Sequence, residues 1–90
     1  MKSEVARKKT GEKLLKTRIE AENGFIKKIS FTGDFFMHPE ESLNQLETQL
    51  INTEKKGVEE KIDAFFKSER IKCYGVSPQS FKEVVEEALR

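Results

Sequence analysis

Tryptophan is absent from this chain of 90 residues, and cysteine and histidine occur once each. The single cysteine, Cys73, excludes an internal disulfide and any metal cluster built from thiolates alone, which fits a reduced, cytoplasmic protein. With His38 as the lone histidine, no Ser/His/Asp catalytic set can be assembled. There is also no glycine-rich phosphate cradle and no glycine-lysine-threonine motif after a strand. Net charge is nearly lacking: 17 basic and 16 acidic residues leave +1, so nothing draws the whole chain to nucleic acid or an anionic membrane. No apolar run approaches the roughly 20 residues of a membrane-spanning helix. Met1 leads into Lys2-Ser3-Glu4 without the apolar core of a secretory leader. These absences point away from an enzyme that works by itself.

What the chain does have is phenylalanine, seven residues of it, within a length that suits one small domain, read here as residues 1–90. Residues 4–9 are short and basic, as in an edge strand guarded by lysine, and Thr10-Gly11 supplies a turn. From Lys13 to Ala21 the side chains alternate, with Leu15, Thr17, Ile19 and Ala21 on one face and Lys16, Arg18 and Glu20 on the other. After Asn23-Gly24 the alternation resumes with Phe25, Ile29 and Phe31 against Lys28, Ser30 and Thr32. Two half-buried strands joined by a tight turn follow. A two-residue Asn23-Gly24 loop would set Arg18 against Ile29 and Lys16 against Phe31, putting charges on the apolar face. A three-residue loop, Glu22-Asn23-Gly24, pairs Thr17 with Ile29 and Leu15 with Phe31 instead, with Gly24 in the left-handed position of a type I turn plus bulge. The three-residue loop is therefore the expected one, at the cost of setting Lys27 opposite Ile19.

Helical spacing takes over after Phe36. Pro39 with Glu40 and Glu41 reads as a helix start, and Leu43, Leu46 and Leu50 mark its buried stripe. Asn52 is a left-handed stop, and residues 53–57 form a charged connector. Val58, Ile62, Phe65 and Phe66 make a second stripe, with Glu59, Glu60, Lys61 and Asp63 facing water. Residues 70–74 fit a loop or a short strand equally. Ser77-Pro78 opens a third helix carrying Phe81, Val84, Val85, Ala88 and Leu89, with Arg90 at its negative pole. The fold class is α+β: a small antiparallel meander of about three strands with helices packed on one face.

The segment Gly33-Asp34-Phe35-Phe36 closes the strongest strand pattern. Adjacent phenylalanines on an extended chain face opposite ways, so one packs inward and the other is left for a neighbouring helix or a partner. These four residues are the candidate partner interface; the plainer reading is an ordinary strand end with a core pair. Cys73, between Lys72 and Tyr74, would have its thiolate modestly favoured and could accept sulfur, although a lone cysteine is more often a small hydrophobe. His38 with Asp34, Glu40 and Glu41 lacks a well-placed third ligand for zinc. Lys16, Arg18 and Lys28 form a basic outer face that carries Glu20 and no interleaved aromatics, as a solvated surface does.

The order of these signals resembles the accessory C-terminal domain of lipoate–protein ligases. The resemblance rests on the Asn23-Gly24 turn, the run Ile29-Ser30-Phe31-Thr32-Gly33-Asp34-Phe35-Phe36, and Pro39-Glu40-Glu41 before Leu43, Leu46, Glu47 and Leu50. Gly75-Val76-Ser77-Pro78 followed by Phe81 and a closing helix also fits, so nearly the whole chain from about Glu4 is covered. Asn52 stands where many members have glycine, and the large catalytic domain is absent. The resemblance implies a non-catalytic subunit of a two-chain, archaeal-type ligase that joins lipoate to a lysine of lipoyl domains through a lipoyl-adenylate. It implies that lipoate, ATP and magnesium sit on a partner catalytic subunit, that this chain alone binds none of them, and that the two form a heterodimer. The lipoyl domains of 2-oxoacid dehydrogenases or glycine cleavage proteins would be indirect partners, and neither nucleic acid nor membrane would be. The family's accessory fold is similar to iron–sulfur scaffold and sulfur-acceptor proteins, so sulfur transfer through Cys73 is the alternative. An interaction module for another enzyme is a third.

Overall fold

The computed structural model describes residues 1–68 and 70–90. Three antiparallel strands, β1 (Lys2–Arg7), β2 (Leu15–Glu22) and β3 (Phe25–Gly33), form a sheet in that order. Two short strands, β4 (Phe36–His38) and β5 (Lys72–Tyr74), pair into a separate ribbon. The helices are α1 (Ser42–Leu50), α2 (Lys55–Ser68) and α3 (Pro78–Ala88). The sheet's inner face and the three helical stripes enclose one core, in which Leu15, Ile19, Leu46, Ile62, Phe65 and Phe81 are all at most 2 % exposed. The expected α+β layer is present, and the ribbon is an addition to it. No helix among the described residues is long and apolar enough to cross a membrane.

The alternation read from the sequence holds on β2, where Leu15, Thr17, Ile19 and Ala21 are buried. Thr17 can sit on that face because its hydroxyl donates to the Ser30 carbonyl at 3.0 Å. The hairpin register differs from the expected one. Glu22 pairs with Phe25 and Ala21 with Ile26, so the loop is the two-residue Asn23-Gly24 turn, with φ of 54° and 82°. Positive φ at both central positions gives the primed turn whose twist matches a hairpin. The apolar face is rescued by a bulge rather than by the loop: beyond Glu20/Ala21 the register shifts by one, pairing Ile19 with Ile29 and Thr17 with Phe31. Lys27 is the extra residue and stays exposed. Ile26, fully buried, joins the core in its place.

Helix α1 also begins later than expected. The chain stays extended through His38, whose peptide bond to Pro39 is cis. Residues 39–42 then form a turn closed by the Ser42 amide on the Pro39 carbonyl at 3.0 Å. Pro39, Glu40 and Glu41 therefore precede the helix, and no acid lies in its first turn. Asn52 does adopt left-handed dihedrals, with φ of 65°. Helix α2 starts inside the expected connector and takes in Gly57. Val58, Ile62 and Phe65 are buried as the spacing indicated, with Phe66 half-buried. Ser77 caps α3 by accepting from the Ser80 amide.

Polar ties lock the layers together. Glu47 of α1 reaches β3, where its carboxylate accepts from the Phe31 amide at 2.8 Å. Desolvation raises the Glu47 pKa, with the Phe31 hydrogen bond opposing it. Lys82 of α3, its stem buried, meets Asp63 of α2 at 2.9 Å, which raises the lysine's pKa. Lys9 and Arg7, at the end of β1, reach Glu83 on α3 at 3.2 and 3.9 Å.

Candidate functional site

The four residues singled out from the sequence lie where three stretches of backbone converge. Gly33 ends β3 with φ of 148°, and a side chain there would collide with the Leu14 carbonyl. That carbonyl accepts the Asp34 amide at 3.0 Å. From the other side comes Gly75, with φ of 100°, where a Cβ would lie 3.0 Å from the Asp34 carbonyl. The Gly75 carbonyl in turn accepts the Lys13 amide at 2.7 Å. Only glycine accommodates both the dihedrals and the close approach at these two points.

The two phenylalanines divide as alternation requires. Phe35 turns inward, half-buried, with its ring edge-on to Phe81 at 5.6 Å and 86°. Phe81 is shared with Phe31 at 5.0 Å and Phe66 at 5.8 Å, so Phe35 extends an aromatic cluster that reaches down to the sheet. Phe36 turns outward, 63 % exposed, and stacks on Tyr74, 44 % exposed, at 4.8 Å and 22°. These two are directly paired across the ribbon, as are Met37 with Cys73 and His38 with Lys72. The ribbon's inner face therefore carries Met37 and Cys73, and its outer face an aromatic pair beside a basic pair. Leu14, 42 % exposed, lies next to Gly33 and Asp34 through its carbonyl. Among the described residues the only other large exposed hydrophobic is Met1.

Rigid support comes from below. The Glu12 carboxylate accepts from the Ser80 hydroxyl at 2.5 Å, fixing the loop between β1 and β2 to the start of α3. The Ser80 bond, helped by Ser77, holds the Glu12 pKa below the ordinary carboxylate value. Helix α3 in turn carries Phe81, on which Phe35 rests.

Cys73 does not behave as its neighbours in sequence suggested. Burial beneath the ribbon pushes its thiol up to about 11, with a backbone hydrogen bond at Val76 only partly offsetting this. Lys72 and Tyr74 point to the opposite face and do not favour a thiolate. His38, Asp34, Glu40 and Glu41 are all exposed, and no three His, Cys, Asp or Glu side chains converge among the described residues. The Asp34 carboxylate takes no hydrogen bond from any described residue; its amide makes the local tie. On the outer sheet face, Lys16 and Arg18 are engaged by Glu4 at 3.0 and 2.8 Å.

Sequence reasoning missed Leu14 and Tyr74. Both were accessible to the argument applied to the phenylalanines. With Leu15 inside, Leu14 must face out; with Cys73 inside a short strand, Lys72 and Tyr74 must face out together.

A family model described as the bacterial lipoate protein ligase C-terminus matches residues 7–86. Lipoate-protein ligase A subunit 2 of Thermoplasma acidophilum is 32 % identical over 68 residues, covering 76 % of this chain and 71 % of that protein. Among solved structures, a similar chain comes from an archaeal lipoylation system of Thermoplasma acidophilum, a bi-partite lipoate protein ligase and its E2 lipoyl domain. It superposes with a TM-score of 0.85 at 29 % identity, over 100 % of this chain and 96 % of that one.

Proposed function

The chain belongs to the lipoate protein ligase C-terminus family, and from that premise we propose that it is the accessory subunit of a two-chain lipoate–protein ligase. It docks on a catalytic subunit and is required for the ATP-dependent activation of lipoate to lipoyl-adenylate, before transfer to a lysine of a lipoyl domain. In this reading lipoate, ATP and magnesium are held by the partner subunit. Its acceptors are the lipoyl domains of 2-oxoacid dehydrogenases or glycine cleavage proteins, and its compartment is the cytoplasm.

The observation that carries the reading is the outward stack of Phe36 on Tyr74 in a member of this family. Lipoyl-adenylate is a mixed anhydride that water hydrolyses. A rigid domain seated over the site excludes water and fixes the reacting groups. Docking must supply the energy for that closure, and large aromatics at the centre of an interface are the usual source. Gly33 and Gly75 shape the surface, Phe35 anchors it to the core, and Phe36, Tyr74 and Leu14 present it. Asp34, exposed beside them, is placed to accept hydrogen bonds from the partner.

The test is to mix the purified chain with the catalytic subunit and assay the two half-reactions separately. Alone, the chain is expected neither to hydrolyse ATP nor to form lipoyl-adenylate; added to the catalytic subunit, it restores adenylate formation. Transfer from pre-made lipoyl-adenylate is expected to need it much less. Adenylation by the catalytic subunit that is indifferent to this chain, or adenylation by this chain alone, overturns the proposal.

A further inference from the structure

A second opening lies away from the ribbon, on the outer side of the three-stranded sheet. A groove of about 810 Å³ runs from Arg18 across Lys28 and Ile29 to a wall formed by Asn44 and Thr48 of α1 and by Ile51 just after it. Strand β3 pairs with β2 on one side only, so its other edge faces this groove. That edge is closed at two points. The Ile26 amide donates to the Thr53 carbonyl at 3.0 Å, and the Ile26 carbonyl accepts the Asn52 amide at 2.7 Å. The Phe31 amide donates to Glu47.

Between these two closures the edge is open. Backbone groups point alternately to the two sides of a strand, so Ile29, two residues before Phe31, also directs its N–H and C=O outward. Neither group has a hydrogen-bond partner among the described residues. The Ile29 side chain is buried, at 9 % exposed, while the residue also lines the groove, so its outward backbone groups are available to a partner there.

We infer that this gap takes an extended segment of the catalytic subunit, added as a short strand between the β3 edge and α1. The inference rests on the accessory-subunit reading. A donor and an acceptor on one residue of a strand edge are matched by extended backbone, as in other strand-addition grooves. The charges refine the occupant. Arg18 is held by Glu4 and Glu47 by the Phe31 amide, while Glu20 stands between Lys2 and Lys28 across the strands. Lysine is thus in excess, which suits a segment with an acidic residue for Lys28 and an apolar one for Ile51. Helix α1 packs against both β3 and β4, so one large partner can engage groove and ribbon together.

Amide hydrogen exchange on the labelled chain, free and mixed with the catalytic subunit, tests this. In the free chain the Ile29 amide should exchange about tenfold or more faster than Ser30, whose groups face β2; in the complex it should slow by about tenfold or more. Thr48→Trp, at an exposed position on the groove wall, should leave the melting temperature unchanged and abolish that protection. A complex in which Ile29 still exchanges fast overturns the groove while leaving the accessory-subunit reading intact. Protection that survives Thr48→Trp overturns it equally, as does protection appearing only when a lipoyl domain is added. Absence of any complex overturns both readings.

Discussion

Replacing Phe35 and Phe36 by alanine, one at a time, separates stability from docking at adjacent positions. A fully buried phenylalanine costs about 3–5 kcal/mol on truncation. Phe35 is half-buried and keeps one edge contact to Phe81 at 5.6 Å, so about half of that, near 2 kcal/mol, is expected. For a domain of this size each kcal/mol moves the melting temperature by about 4–8 °C, giving a fall of roughly 10 °C. Phe36 loses only its stack on Tyr74 and, at 63 % exposed, belongs with surface changes of about 0.5 kcal/mol. In the complex the order reverses. Phe36→Ala should weaken binding of the catalytic subunit by about 2 kcal/mol, roughly 30-fold. Thermal unfolding by circular dichroism and a titration of the complex give both numbers for each variant. The division fails if Phe36→Ala melts as early as Phe35→Ala, since the ring would then be part of the core. It fails also if Phe36→Ala binds like the wild type, since the exposed stack would then not be the contact.

Three further outcomes follow from particular residues. Gly24 has φ of 82° and open space, with no atom within 4 Å, where a Cβ would stand, so Gly24→Val meets only backbone strain, about 1–2 kcal/mol, and an unchanged melting temperature would refute the turn. Cys73→Ser should leave both half-reactions nearly intact, and the wild-type thiol, raised to about 11, should resist alkylation at neutral pH; loss of activity would revive a sulfur-transfer role. Glu47, raised above 4.5 by burial, holds its proton more tightly folded than unfolded, so its contribution is most favourable below about pH 4.5 and declines as pH climbs through the folded value. Glu47→Gln keeps an acceptor for the Phe31 amide without the charge, and urea unfolding should find it at least as stable as wild type at pH 7, with the difference closing towards pH 4; a marked loss at pH 7 would show that the charged hydrogen bond outweighs desolvation.

The residues that were legible in sequence are those whose neighbours along the chain decide their environment. Leu15, Thr17, Ile19 and Ala21 alternate because β2 is covered on one face, and Val58, Ile62 and Phe65 repeat at helical spacing because α2 lies on the core. The opposed rings of Phe35 and Phe36 belong to the same class. The hairpin register did not, because two devices can restore an apolar face: a longer loop, or an extra residue inside a strand. Asn23 and Gly24 together favour the tight primed turn, and the compensation then falls on Lys27, whose exposure carries no local signature. The ribbon was illegible for a different reason. Three residues each, 36–38 and 72–74, are too few to show a period, and their pairing joins segments separated by two helices. Yet that pairing is what places Tyr74 on Phe36 and leaves Cys73 half-buried on the other side. One long-range contact thus stacks Tyr74 on the exposed Phe36 and, by the same pleat, turns the thiol to the inner side, where partial burial raises its pKa.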